Sequence, residues 1–119
     1  MLYDVRTHFF FLFPAAAVVK ERWYRVLPFD YASVNLNYQN IRFCFSRGRG
    51  ELNVSVSPRN APQERHELAY VVAALERVNI ANIITKNTLE ESSDLIRPRL
   101  QALNEAFSER GYIEFAKRL

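Results

Sequence analysis

Cysteine and histidine are scarce in this chain of 119 residues, which has one cysteine, Cys44, and two histidines, His8 and His66. One cysteine forms no disulfide within the chain, so we expect a protein of a reducing, cytoplasmic setting. The three residues lie on different predicted elements, without the short spacing of metal ligands. We therefore predict no metal site. A chain of this length buries enough surface to fold without such cross-links.

Catalytic groupings are also missing from the sequence. A cysteine nucleophile needs a histidine within hydrogen-bond reach and a third group that orients it, whereas His66 opens a helix predicted on the other side of the sheet from Cys44. Glutamates such as Glu105 and Glu109 have the spacing of a solvated helix face rather than of a glycosidase acid/base pair. We predict no catalytic residues, no cofactor, and a protein that is not an enzyme.

Long hydrophobic runs are absent. The most apolar stretch, "FFFLFPAAAVV" at residues 9–19, is shorter than the about 20 residues that span a bilayer. Its small residues imitate a secretory signal, but Asp4 precedes it, Pro14 interrupts it, and Lys20, Glu21 and Arg22 follow at once. We expect this run to be part of a hydrophobic core, and we expect no membrane association.

Positive charge is concentrated in the first half of the chain. The net charge is +3, and residues 1–50 carry +4 while residues 51–119 carry −1. Such an excess can create a local positive patch, but it lacks the dense basic tracts typical of nucleic-acid binding. The composition, 49% hydrophobic and 24% charged, is that of a single globular domain, which we place at residues 1–119.

Strict apolar–polar alternation marks residues 32–38, 41–46 and 51–57, within "ASVNLNYQNIRFCFSRGRGELNVSVS". This period predicts half-buried strands. The dipeptide 39–40 and the stretch Arg47-Gly48-Arg49-Gly50 are short enough for hairpin turns, with glycine supplying a positive φ. The same glycines do not suit a phosphate-binding loop, because such a loop leads from a strand into a helix. The three strands predict an antiparallel meander with one apolar and one polar face.

Helical spacing flanks the meander on both sides. Apolar residues from Phe9 to Trp23 predict a first helix over about residues 8–25, which Pro14 either kinks or opens after an extended lead-in and which Pro28 ends. A second helical region begins near Gln63, with an apolar stripe at Leu68, Val71, Val72, Leu75 and Val78.

The last third of the chain contains helix end signals. Asn87 and Asp94 are predicted helix caps, and Gly111 is a predicted helix stop. The order is therefore α-β-β-β-α-α, an α+β fold in which the helices pack on the apolar face of a three-stranded meander. The predicted core is Val34, Leu36, Phe43, Phe45, Val54, Val56, Leu68, Val72, Leu75, Leu100, Leu103 and Phe107.

The polar sheet face is the predicted partner-binding site. It should present Asn35, Asn37, Arg42 and Asn53, with Arg47 and Arg49 at the hairpin tip. Three interpretations fit these residues: solubility of an open sheet, a nucleic-acid surface, or a protein interface. A nucleic-acid surface needs aromatic side chains among the basic ones, whereas alternation directs Tyr38, Phe43 and Phe45 into the core. Arginine and asparagine suit protein carboxylates and backbone groups.

The run "VVKERWYRVLPFDYASVNLNYQNIRFCFSRGRGELNVSVSP", a helix beginning near Glu67-Leu68, and the segment "LQALNEAFSERG" together resemble a widespread group of small bacterial proteins. Arg47, Gly50 and Glu51 are the marks of this resemblance. Several members of the group resemble immunity proteins encoded beside polymorphic or contact-dependent toxins. The resemblance implies a cytoplasmic protein that binds and neutralises a cognate toxin domain. Immunity proteins against basic nuclease toxins are often acidic, so the basic charge of this chain leaves the toxin activity open.

The resemblance therefore implies a bacterial immunity protein of the contact-dependent growth inhibition type, whose partner is a toxin domain. The alternative is a small nucleic-acid-associated protein that uses its basic N-terminal half. A third interpretation is a subunit or adaptor whose partner has no link to toxins.

Overall fold

Helices form both ends of the chain in the computed structural model, which describes residues 1–26, 29–83 and 88–119. In these ranges the α-helices are α1 (Leu2–His8), α2 (Leu68–Glu76), α3 (Leu89–Ile96), α4 (Leu100–Ala106) and α5 (Glu109–Phe115). Short 3₁₀ turns lie at Phe10–Leu12, Ile80–Asn82, Arg97–Arg99 and Ala116–Arg118.

Between α1 and α2 the chain forms an antiparallel sheet. Its strands are β1 (Ala17–Val26), β2 (Phe29–Tyr38), β3 (Ile41–Gly48), β4 (Glu51–Pro58) and β5 (His66–Glu67). They follow one another across the sheet in chain order. The α+β class is confirmed, and the predicted meander is present as β2, β3 and β4. The sheet has five strands in the described ranges rather than three.

The predicted helix over residues 8–25 is wrong. Residues 17–26 form β1, paired with β2 along its length and interrupted by a bulge between Val18 and Lys20. Valine, tryptophan and tyrosine favour strands, since their side chains suit a pleated surface. The helical spacing from Phe9 to Ala16 instead reflects a compact lead-in, in which Phe9, Leu12 and Ala16 are buried. The expectation that this run contributes to the core is correct for these three residues.

The hairpin turns depend on positive φ angles. Arg49 and Gly50 adopt φ of 53° and 76°, and Gln39 adopts 50°. Two consecutive positive values are typical of the two-residue turn whose twist matches the flanking strands. The second turn therefore contains residues 49 and 50 alone, and Arg47 and Gly48 belong to β3.

Several predicted helix ends are displaced. α2 begins at Leu68 rather than near Gln63, and Val78 lies beyond its end. Asp94 is inside α3, which Thr88 caps by accepting a hydrogen bond from the Glu91 N–H at 3.1 Å. Pro28, which was predicted to end the first helix, and Asn87, a predicted helix cap, both lie outside the described residues.

Gly111 is in the first turn of α5 and does not stop a helix. The Ser108 hydroxyl accepts a hydrogen bond from the Gly111 N–H at 3.0 Å. A Cβ atom at this position would lie 2.2 Å from the carbonyl oxygen of Glu105. Glycine is therefore required here by the close approach of α4.

One hydrophobic core lies between the helices and one face of the sheet. Ten of the twelve predicted core residues are buried, while Leu75 and Leu100 are partly buried at its margin. Phe9 packs on Phe45 with ring centroids 4.7 Å apart, which attaches the N-terminal segment to β3. α1, α2, α3, α4 and α5 all contribute buried side chains to this cluster, so the opposite sheet face is left for contacts outside the domain. None of the helices in the described ranges is long and apolar enough to cross a membrane.

Candidate binding face of the sheet

Residues paired across antiparallel strands point to the same side of the sheet. Lys20, Asn35, Cys44 and Ser55 are register partners in sequence across β1 to β4. We call the side opposite the helices the open face. By this register it carries Lys20, Arg22 and Tyr24 from β1, Tyr31, Ser33, Asn35 and Asn37 from β2, Arg42, Cys44 and Ser46 from β3, Glu51, Asn53 and Ser55 from β4, and Glu67 from β5.

The open face has more basic than acidic side chains. Its basic residues are Lys20, Arg22, Arg42 and Arg49, and its acidic residues are Glu51 and Glu67. The acidic residues lie at one strand end and at the β5 edge, while the basic ones extend from β1 to β3. An excess of one sign over a face attracts partners of the opposite charge.

Near one end of the face, Arg42 is held in place by a neighbouring strand. Its Nε–H donates to the Oδ1 atom of Asn37, its cross-strand partner, at 3.0 Å. This bond uses one of the five N–H groups of the guanidinium. The hydrogen bond to Asn37 fixes where Arg42 presents its remaining donors.

Asn35 lies beside this pair and has an unsatisfied side-chain oxygen. Its Oδ1 atom is buried and accepts no hydrogen bond from the described residues. A buried acceptor without a donor costs free energy, on the order of 1–3 kcal/mol. The Asn35 side chain therefore has an unsatisfied acceptor that is buried beneath the open face.

Near the other end of the face, two tyrosines form a stacked pair. The rings of Tyr24 and Tyr31 lie 5.2 Å apart and 13° from parallel, and the Arg49 Nε–H donates to the Tyr31 hydroxyl at 3.3 Å. Gly48 makes room for this ring, because a Cβ atom there would lie 2.5 Å from Tyr31 Cδ1. With Asn53, these residues line a shallow depression of about 330 Å³.

Arg47 is directed to the helix side by its register, which does not support the expectation that Arg42, Arg47 and Arg49 present their donors together. Its register partners are Ala32 and Leu52, and Leu52 is buried in the core cluster. Arg47 lines a cleft of about 430 Å³ on the helix side, together with Asp4, His8 and Glu90, and it also borders the depression of about 330 Å³ beside Tyr31 and Arg49. Arg42 and the turn at Arg49 lie roughly 20 Å apart along β3, at about 3.3 Å per residue.

Alternation directs Cys44 to the polar face, where a surface thiol is expected, but it is only 8% exposed. It lies on the open face between Asn35 and Ser55. His66 pairs with Val56, a core residue, and its Nε2 is 2.7 Å from the hydroxyl of Tyr112. The thiol and the imidazole are therefore on opposite faces of the sheet, and this geometry does not allow one to activate the other.

A second cleft lies on the helix side, where the β2–β3 turn approaches α4 and α5. It encloses about 530 Å³ and is lined by residues that include Asn40, Arg59, Phe107 and Tyr112. Burial, with a smaller contribution from the carboxylate of Glu64, raises the pKa of Tyr112 above its ordinary value of 10.0. The phenol therefore stays neutral and hydrogen-bonded to His66 at physiological pH.

No protein-family model, curated protein or solved structure matches this chain. Its function has to be argued from its own residues. Among the residues that the structure describes, no group of three His, Cys, Asp or Glu side chains could hold a metal ion. We therefore take the open face, with its basic, amide and aromatic side chains, as the candidate binding site.

Sequence reasoning missed the part of the open face that β1 supplies. Lys20, Arg22 and Tyr24 were placed on a helix, although valine, tryptophan and tyrosine on both sides of them favour a strand. Of the six predicted partner-binding residues, Asn35, Asn37, Arg42 and Asn53 lie on the open face and Arg49 reaches it through Tyr31. Whether these residues contact a partner stays a prediction.

Proposed function

We propose that this protein acts by binding rather than by catalysis, and that its open face binds an acidic surface of another protein. Following the resemblance described above, we further propose that the partner is a toxin domain and that the protein is a bacterial immunity protein. The observation that supports binding is the basic open face, with Arg42 held by Asn37 at 3.0 Å. Arginine presents a planar fork of donors that matches a carboxylate through two hydrogen bonds.

A nucleic-acid-associated protein is the second proposal, and one observation favours it. Tyr24 is 52% exposed and stacked on Tyr31, with Arg22 next to it on the same side of β1. An exposed aromatic ring beside arginine is the arrangement on which unpaired bases stack. Phe43 and Phe45 are buried as expected, so this platform comes entirely from β1 and β2.

Salt dependence separates the two proposals. We expect the wild-type protein to bind a toxin domain encoded beside its gene, with an affinity that falls modestly between roughly 50 and 200 mM salt. Binding of RNA or DNA through several phosphates would fall by orders of magnitude over the same range. Titration calorimetry with each ligand at both salt concentrations measures this difference.

Arg110→Ala provides a control for net charge, because Arg110 is exposed on α5 on the helix side. It removes one positive charge without touching the open face. Tight, steeply salt-dependent binding of nucleic acid, with no binding of the toxin domain, would replace the first proposal with the second. Binding of another acidic protein with no toxin link would support the face and reject the immunity role.

A further inference from the structure

The two edges of the sheet differ greatly in length. β5 closes one edge with two residues that lead directly into α2. β1 forms the other edge with ten residues, and its outer side has no strand partner in the described ranges. The backbone N–H and C=O groups along such an edge are a template for another strand.

The helix side of β1 exposes a large apolar side chain. Trp23 pairs with Ala32, in the row that continues through Arg47 to buried Leu52. It therefore points to the side that the helices cover elsewhere, yet the helices do not reach it and it is 68% exposed. A tryptophan left uncovered beside a core is typical of a protein interface.

We propose that β1 pairs antiparallel with β1 of a second copy of this chain. The two-fold axis lies midway between the Trp23 residues of the two copies. The two indoles then lie opposite each other on the helix side. On the open face, Arg22 of each copy lies opposite Tyr24 of the other. Two five-stranded sheets become one continuous sheet, and the open faces of both copies lie on the same side.

The charges of β1 favour this register over its neighbours. An axis at Glu21 would set two carboxylates opposite each other and Lys20 opposite Arg22. An axis at Lys20 or Arg22 would set two cations opposite each other. Like charges directly opposite destabilise a strand pair, whereas aromatic pairs and arginine over tyrosine stabilise one. Centring on Tyr24 would set two tyrosines opposite each other but would lose the indole pair and both Arg22–Tyr24 contacts. Trp23 is therefore the favoured centre.

A second copy fits this edge better than an arbitrary strand. The bulge between Val18 and Lys20, and the charges that follow it, are features that discourage unspecific edge pairing. A strand that pairs here is favoured by an aromatic residue opposite Arg22 and an apolar residue opposite Trp23. A second β1 provides both, as Tyr24 and Trp23. The contact is small, so we expect a dimer of micromolar rather than nanomolar affinity.

Sedimentation equilibrium of the full chain tests the association. Each copy carries a net charge of +3, so screening by salt should strengthen the dimer, the reverse of binding to an acidic partner. We expect Trp23→Arg to weaken dimerisation at least about tenfold, since it sets two cations opposite each other. Tyr3→Arg adds the same charge at an exposed aromatic residue on α1 and should leave dimerisation unchanged.

Cross-linking tests the register without depending on the stability of the arginine variant. In a Cys44→Ser background, Trp23→Cys should form a disulfide between copies, because residues opposite each other on the axis have Cα atoms about 5 Å apart. Glu21→Cys, on the same side of β1, should not, because its two copies would lie roughly 13 Å apart along the strands.

A chain that stays monomeric at millimolar concentration would overturn the proposal. So would a dimer in which Glu21→Cys cross-links and Trp23→Cys does not. The proposed function does not depend on this result, because a monomer can still bind through its open face.

Discussion

The two faces of the sheet are built from the same strands and differ in what covers them. On the helix side, Val34, Phe43, Phe45 and Val56 are buried completely. On the open face, the residues of β2, β3 and β4 that alternate with these are mostly asparagine, arginine and serine, with Tyr31, Cys44 and Glu51 among them. The comparison shows that period-two alternation specifies which face becomes core, while the chemistry of the other face is left free for recognition.

Truncating a buried side chain on the helix side should lower the free energy of unfolding far more than changing its neighbour on the open face. Phe43→Ala removes a fully buried ring, and we expect it to cost about 3–5 kcal/mol of unfolding free energy, measured by urea denaturation. Cys44→Ser, the next residue along β3 on the open face, is the matched control and should cost less than about 1.5 kcal/mol. A loss below about 1 kcal/mol for Phe43→Ala would show that the strand register is wrong. Folded Cys44→Ser should also retain whatever activity the protein has, and loss of a catalytic activity in this variant would overturn the proposal that the protein is not an enzyme.

The hydrogen bond between His66 and Tyr112 tests the difference between the two faces of the sheet. It is a polar contact between β5 and α5 on the helix side. Tyr112→Phe should cost about 1–2 kcal/mol, since it leaves the imidazole without this partner. Binding through the open face should be unchanged. Reduced affinity in this variant would show that the helix side contributes to the interface.

The same residue gives a pH dependence with a definite sign. The folded pKa of Tyr112 is raised, so the unfolded chain releases the phenolic proton at a lower pH than the folded one. The contribution of Tyr112 to stability is therefore complete below pH 10 and is lost as pH rises through the folded pKa. The difference in unfolding free energy between wild type and Tyr112→Phe should shrink above pH 10. A difference that grows there would reverse the assigned direction.

The sequence predicted the centre of the fold well because one signal dominates it. β2, β3 and β4 alternate strictly, and their apolar residues form the core that the pattern requires. The same parity rule separates Arg42 from Arg47, which are five residues apart and therefore on opposite faces. The sequence prediction assigned residues 47–50 to the turn and therefore did not place Arg47 on a face of the sheet. In the structure only Arg49 and Gly50 form the turn.

β1 could not be predicted in the same way because both of its sides are exposed. Val18, Glu21 and Trp23 lie on one side and Lys20, Arg22 and Tyr24 on the other, so no alternation of apolar and polar residues appears. Its hydrogen-bonded neighbour β2, rather than burial, supports the strand. β5 has only two residues and no pattern at all. Lys20, Arg22 and Tyr24 on β1 and Glu67 on β5 were missed from the candidate site because of these two omissions.

The most direct test of the binding face compares two arginines of one strand. Arg42 lies on the open face and Arg47 on the helix side, and both belong to β3. We predict that Arg42→Ala weakens binding of the acidic partner by about fivefold, near 1 kcal/mol, while Arg47→Ala leaves the affinity unchanged. Titration calorimetry of both variants against the toxin domain measures this. Equal affinities for wild type and Arg42→Ala, with weakened binding by Arg47→Ala, would contradict the account and place the interface on the helix side.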